Sequence, residues 1–286
     1  MISGLILQII QTGAIISTFA IMLSLGLDTS FKELTFFKER PWLFFRSLLS
    51  VVVIVPIIVM LVIFLVDPER ATAIGLVILA ASPAAPRVLS RIIKSGGKHE
   101  YAISLHLLLA LLAIVTTPVT LTILNTILDL GFMVSPLAVA DQVGLSILVP
   151  VIIGIIFRSF FPDAARRIIR PLAALSQIIL FMVIIIIMSF SYDLIFKMDI
   201  RSYAAMAMMI IAALATGHLL ATGGPEERTT LALESATRNP GLALLIASVN
   251  APLERALPVL IPYLVVFIIV TSAYLKYCTK SKKEHM

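Results

Sequence analysis

Charge is scarce in this chain. Asp, Glu, Lys and Arg make up only 13% of its 286 residues, about half the share usual for a soluble domain. Cysteine is almost absent: Cys278 stands alone beyond the last apolar block, which excludes a disulfide framework and a cysteine-based metal site. No Lys or Arg precedes Lys32, so the basic start of a cleaved secretory signal is missing and the first apolar block is expected to be a retained span. There is no His-Glu-x-x-His, no Gly-x-Ser-x-Gly, no phosphate-binding glycine loop and no Cys/His cluster. The motifs that would point to an enzyme are therefore lacking, and no cofactor is expected.

Apolar residues are what the chain has in excess. They form 60% of it, with a mean hydropathy of +1.07, spread along the whole length in blocks of about 20 residues, the length that crosses a bilayer. A soluble domain on one anchor, a disordered chain and a fibrous repeat are all excluded. The fold class is all-α integral membrane, one transmembrane domain over 1–286, with the lipid bilayer as its first partner. A net charge of +6 and a pI near 9.6 would raise nucleic acid in a soluble protein. Here the placement of the charge matters more, and no nucleic-acid partner is expected.

Nine apolar spans are expected, at about 4–26, 41–66, 71–93, 101–128, 138–159, 171–191, 203–222, 229–250 and 256–277. Short polar connectors join them and leave no room for an extramembrane domain. Of the 22 basic residues, Arg70, Lys197, Arg201 and Arg255 fall on one side, Arg46, Arg87 and Arg238 fall inside apolar blocks, and the remaining 15 fall on the other side. Basic residues gather in the cytoplasm, which predicts an outer N-terminus, a cytoplasmic C-terminus and a plasma (inner) membrane location.

Helix breakers at membrane depth are tolerated only where the freed backbone groups face protein or a watery cavity. Two spans carry them. The third contains Ser82-Pro83-Ala84-Ala85-Pro86-Arg87 and the eighth Glu234-Ser235-Ala236-Thr237-Arg238-Asn239-Pro240-Gly241. They occupy corresponding places in two halves, 1–130 with four spans and 131–286 with five, and run in opposite directions. That pattern predicts an inverted-repeat transporter with its site where the two broken helices cross near the bilayer midplane.

The candidate site residues gather at these breaks. Glu234 and Arg238 are four apart, on one face of a continuous helix and in the favourable order for an ion pair. At about 1.5 Å per residue they lie about 8 and 14 Å into the span, where an ionisable group is costly without a partner or water. Arg87 follows the first break at similar depth; it either snorkels to the cytoplasm or pairs with Glu234, leaving Arg238 to attract an anion. Asn239, Pro240 and Gly241 end the first half of the eighth span, so carbonyls around Ser235 to Thr237 could ligate a cation, while the following half-helix could face a carboxylate. In the fourth span, Ser104 is a candidate ligand and His106 is read as bonding either a neighbouring helix or a ligand.

The stretch Arg228-Thr229-Thr230-Leu231-Ala232-Leu233-Glu234, with Ser235 to Ala243 after it, resembles the signature span of the bile acid:sodium symporter family. Met22 to Leu27, Gly75 to Pro83 and Leu148-Val149-Pro150 to Gly154 are similar to other family motifs, in the family's order, over about residues 20 to 275. The resemblance implies an inverted repeat with two broken helices crossing near the site, in nine-span members without one initial helix. It also implies inward transport of an organic anion with sodium, the anions including bile acids, other sterol conjugates, small carboxylates and vitamins.

The sodium ligands are where the sequence departs from that pattern. Arg238 replaces a Gln, Ala84 to Val88 replace a Gly-Gly-Thr-Ala-Ser-Asn run, an upstream Gln is apolar near Val51, and Leu108 replaces a Thr, although Glu234, Asn239 and Ser104 match. Sodium needs oxygen ligands, whereas arginine offers donors and a fixed positive charge. The expectation is a carrier of a small or medium organic anion that is uncoupled, proton-coupled or exchanging, with Arg87 and Arg238 standing where the family puts cations. A sodium symporter with ligands near Glu234 and Ser104 is the alternative, and a ligand sensor that does not transport is the reading from another class. No Cys lies in the third span, which argues against arsenite as cargo.

Overall fold

A computed structural model describes residues 4–29, 33–83, 85, 87–132, 135–250 and 256–284; Arg87 and Ser90 are described by their backbone alone, and Pro86 lies outside the described residues. Within that set the chain is helical, and its only extended pairing is a single bridge between Pro83 and Arg238. Seven helices are long and apolar enough to cross a membrane. They are α1 (Gly4–Asp28), α2 (Pro41–Leu48) continuing into α3 (Val55–Val66), α6 (His99–Leu128), α7 (Pro136–Val143) continuing into α8 (Val149–Phe160), α9 (Pro162–Phe196), α10 (Ile200–Leu220) and α13 (Leu260–Glu284).

The two composite spans are joined by π-helical turns, Leu49–Ile54 and Gly144–Leu148. Each turn is followed by Val-Pro, at Pro56 and Pro150. A proline lacks the N–H and crowds the carbonyl four residues back, and a wider turn absorbs both effects.

The other two apolar stretches are split. The third consists of α4 (Arg70–Ala80) and α5 (Arg87–Lys94), the eighth of α11 (Pro225–Ala236) and α12 (Pro240–Val249). At about 1.5 Å per residue none of these pieces reaches about 30 Å alone. They lie at the centre. Every residue from Thr72 to Ala80 and from Thr229 to Ala236 is buried, whereas α9 turns most of its length outward, exposing Ile178, Phe181 and Met182. An apolar helix with such an outer face is at rest in lipid, and one buried all round must be inside protein.

α4 packs on α12 and α5 on α11, so the two broken stretches form an X whose centre is the pair of breaks. Around it α1 lies along α8 and α9, and α10 lies along α3 and α11. Small residues make the closest of these approaches. A Cβ on Gly154 would fall 2.6 Å from the Leu27 nitrogen and 2.7 Å from the Gly26 carbonyl carbon, and one on Gly217 would fall 2.6 Å from the Cα of Ala232. Gly26 and Gly154 come from two of the stretches that resemble family motifs, and they meet backbone to backbone, as small residues do where membrane helices pack closely.

Candidate substrate and ion site

The breaks are joined through their backbones. The Asn239 N–H donates to the Ser82 carbonyl at 2.8 Å beside the Pro83–Arg238 bridge. Pro240 is well placed as the first residue of α12, because its missing N–H would have had no helical partner. Asn239 caps that helix, its Oδ1 accepting from the Leu242 N–H at 3.0 Å. Thr237 turns its hydroxyl back to the Leu233 carbonyl at 2.6 Å, and Ser235 shares a 2.7 Å hydrogen bond with Ser50 of the π-helical turn.

Arg238 does not pair with Glu234. α11 ends at Ala236 because Pro240 disfavours helical geometry at the residue before it, and the four-residue spacing therefore no longer places both side chains on one face. The guanidinium instead donates to three carbonyls: Ser235 at 2.5 Å, Ala80 at 3.3 Å and Val51 at 3.4 Å. Its residue is 2% exposed. Nη1 and Nη2 are thus held by fixed acceptors from three segments, and Nε has no partner among the described residues. The Tyr263 hydroxyl donates to the Ala236 carbonyl at 3.4 Å. Carbonyls that the break was expected to offer to a cation at Ser235 and Ala236 are therefore already bonded within the protein.

Glu234 faces the other way, toward α6. Nδ1 of His106 lies 3.4 Å from its carboxylate, and both side chains are fully buried. Glu234 Oε1 and His106 Nε2 have no hydrogen-bond partner among the described residues. Ser104, also expected here, is buried on α6 and donates to the Glu100 carbonyl at 2.8 Å. Arg87 begins α5, and whether it pairs with Glu234 lies outside the described residues, as does Pro86.

Beside the breaks is a cavity of about 380 Å³, bounded by Thr237 to Gly241 on one side and by α1, α9 and α13 on the others. Its polar groups include Thr18, whose buried hydroxyl has no partner among the described residues, Gln177 and Arg91; Leu180, Ile184 and Phe267 supply apolar wall. A Cβ on Gly241 would lie 3.2 Å from Thr18 Oγ1, so the glycine keeps this corner open. Arg91 donates to Ser272 at 3.0 Å and stacks over Phe267. A second cavity, of about 560 Å³, shares Ile21, Arg91 and Gln177 as walls and reaches Asp28 and Lys94. Thr18, Gln177 and Arg91 were not singled out by sequence reasoning. Arg91 had a signal, one helical turn after Arg87 beyond the break, whereas Thr18 and Gln177 have none outside the packing of α1 against α9.

Two broken helices bonded at their breaks, beside a cavity inside a bundle of long apolar helices, describe a multi-pass membrane protein. The profile of the Sodium Bile acid symporter family matches residues 15–198, and the chain belongs to that family, whose members are transporters and not enzymes. No curated protein matches the chain.

Proposed function

We propose that this protein is a nine-span, inverted-repeat secondary transporter of a small or medium organic anion that works without sodium. The observation that carries the reading is the guanidinium of Arg238, donating to carbonyls of Val51, Ala80 and Ser235 at the junction of the breaks. A sodium ion needs several oxygen ligands; here the oxygens are taken by a permanent cation that cannot leave. Arginine is the side chain suited to such a place, because its fork of donors stays charged when buried.

The inverted repeat is supported by which elements meet. α1 packs on α9, α3 on α10, and the broken stretch α4–α5 on the broken stretch α11–α12; these are counterpart spans if the halves 1–130 and 131–286 are related by an axis through the breaks, and the contacts α4–α12 and α5–α11 are then equivalent to each other. The cavity suits an anion with an apolar body. The α12 N-terminus, the unpartnered Thr18 hydroxyl and Arg91 favour negative charge at one end, and the aliphatic and aromatic wall accepts the rest. The second cavity, which shares walls with it and reaches Lys94, lies toward the side where basic residues gather, which the charge distribution makes the cytoplasm.

Flux into proteoliposomes tests this reading. The anions offered are succinate, a branched 2-oxo acid, phenylacetate and a taurine-conjugated sterol, each in sodium or choline buffer. Uptake of at least one, equal in the two buffers, is expected, and Arg238→Gln should weaken it without creating a response to sodium. Wild-type uptake driven by a sodium gradient would overturn the sodium-free reading, and binding without flux would make the protein a sensor.

A further inference from the structure

We propose that the start of α9 is a docking surface for an anionic phospholipid, whose headgroup phosphate is held by Arg167 and Arg170 with Arg166 at its flank. The proposal concerns the lipid-facing side of the protein and needs no part of the transport reading.

The length of α9 sets the depth of these residues. The helix runs for 35 residues, about 50 Å at about 1.5 Å per residue, against about 30 Å of hydrocarbon. Asp163, Arg166, Arg167 and Arg170 fall near its beginning, and no charged residue follows until Asp193. The uncharged stretch between Arg170 and Asp193 is long enough to cross the hydrocarbon by itself. Arg170 therefore stands at the boundary, and Arg166 and Arg167 lie among the headgroups.

Steps of three and four residues place Arg167, Arg170, Ala174, Ile178 and Phe181 on one face of the helix, and all five are exposed. The opposite face is tied to α1. There Ala165 and Ser176 are buried, the Ser24 hydroxyl donates to the Ile169 carbonyl at 3.2 Å, and the Ser176 hydroxyl donates to the Ser17 carbonyl at 2.7 Å. The outward face thus offers two guanidiniums at headgroup depth, a small residue below them, and then an aliphatic and an aromatic side chain in the hydrocarbon. A phospholipid presents its parts in the same order: phosphate, glycerol and acyl chain.

The charge on this face is not used by the protein. Arg166, Arg167 and Arg170 have no hydrogen-bond or ion-pair partner among the described residues. Arg158, at the end of α8, differs in donating to the Leu27 carbonyl at 3.2 Å. Asp163 is the acid of the segment and lies in the first turn of α9, where it complements the helix dipole. Asp28, at the end of α1, lines the second cavity with Arg91 and Lys94. A net positive charge is left at the membrane surface. Arginine suits phosphate because its planar fork donates two hydrogen bonds at once, and basic clusters beside a span attract anionic lipid. Phe160 and Phe161, both exposed just ahead of the helix, add apolar surface next to the arginines.

The purified full chain, stripped of lipid in detergent, is titrated with dioleoyl-phosphatidylglycerol or with dioleoyl-phosphatidylcholine, and bound lipid is counted by native mass spectrometry. Phosphatidylglycerol should be retained in preference, and its affinity should fall about fivefold for each arginine lost, so about 25-fold in Arg167→Gln/Arg170→Gln. Lys197→Gln/Arg201→Gln, which removes the same charge from exposed positions beyond the other end of α9, should leave the retention unchanged. Equal binding of the two lipids, or an equal loss in both double variants, would overturn the site. Displacement of the lipid by glycerol 3-phosphate at matched concentration would assign the arginines to a soluble phosphate and reject the lipid.

A second measurement uses the wild-type chain, so it holds even if a variant fails to fold. In nanodiscs of either lipid, the arginines are modified with phenylglyoxal and the modified peptides are quantified by mass spectrometry. Modification of Arg167 and Arg170, relative to Arg201, should slow severalfold in phosphatidylglycerol. Equal relative rates in the two lipids would overturn the proposal.

Discussion

Arg238 and Glu234 sit four residues apart at one break, and the protein treats them in opposite ways. Around the guanidinium, three backbone carbonyls from three segments are in place, so its charge is spent on holding the crossing together. Around the carboxylate the nearest described partner is Nδ1 of His106 at 3.4 Å, and Oε1 makes no hydrogen bond among the described residues. A buried charge whose donors are filled is part of the frame. One whose acceptor is left open is not tied into the frame in the same way.

The contrast breaks most directly at the arginine. Arg238→Met removes the donors while keeping an apolar side chain, and leaves buried carbonyls that each cost about 1–3 kcal/mol when unsatisfied. The largest loss of stability is expected here, read as failure to elute as a single species in detergent or as a large fall in melting temperature. Arg238→Lys, which has no fork to span the acceptors, should recover only part of it.

Gly154→Val asks whether that sensitivity belongs to the crossing or to close packing in general. Its added carbons would press on the backbone of Gly26 and Leu27 in α1, an overpacking worth about 1–3 kcal/mol. Melting temperature should fall by less than in Arg238→Met. An equal or greater fall would make the glycine seam, and not the arginine, the principal clasp.

Glu234→Gln sharpens the other side. The neutral isostere removes no filled hydrogen-bond set, so stability at neutral pH should change by less than about 1 kcal/mol, measured by thermal unfolding. A loss as large as that of Arg238→Met would mean that the carboxylate, too, holds the frame together.

Much of this architecture was legible in the chain itself. Apolar blocks of membrane length mark the seven long helices, because hydrocarbon demands that length and that composition. Pro83 and Pro240 mark the breaks, because proline cannot donate and crowds the preceding turn. The family could be named from short motifs, and the replacement of a glutamine by Arg238 could be seen. The pair expected between Glu234 and Arg238 failed for a local reason, since a spacing that fixes a shared face in a continuous helix means nothing once the helix stops between the two residues.

What the linear order does determine is where chain can cross lipid and where helix must end, since both follow from transfer free energy and backbone stereochemistry within a few residues. Tertiary structure alone decided the partners. His106 meets Glu234 across 128 positions of sequence, Arg238 finds carbonyls near residues 51 and 80, and Thr18 and Gln177 share a wall only because α1 lies along α9. Hydrogen bonds and cavities are properties of distance in space, and in an apolar helix the side chain that faces lipid and the one that faces a neighbour can be identical until the neighbour is in place.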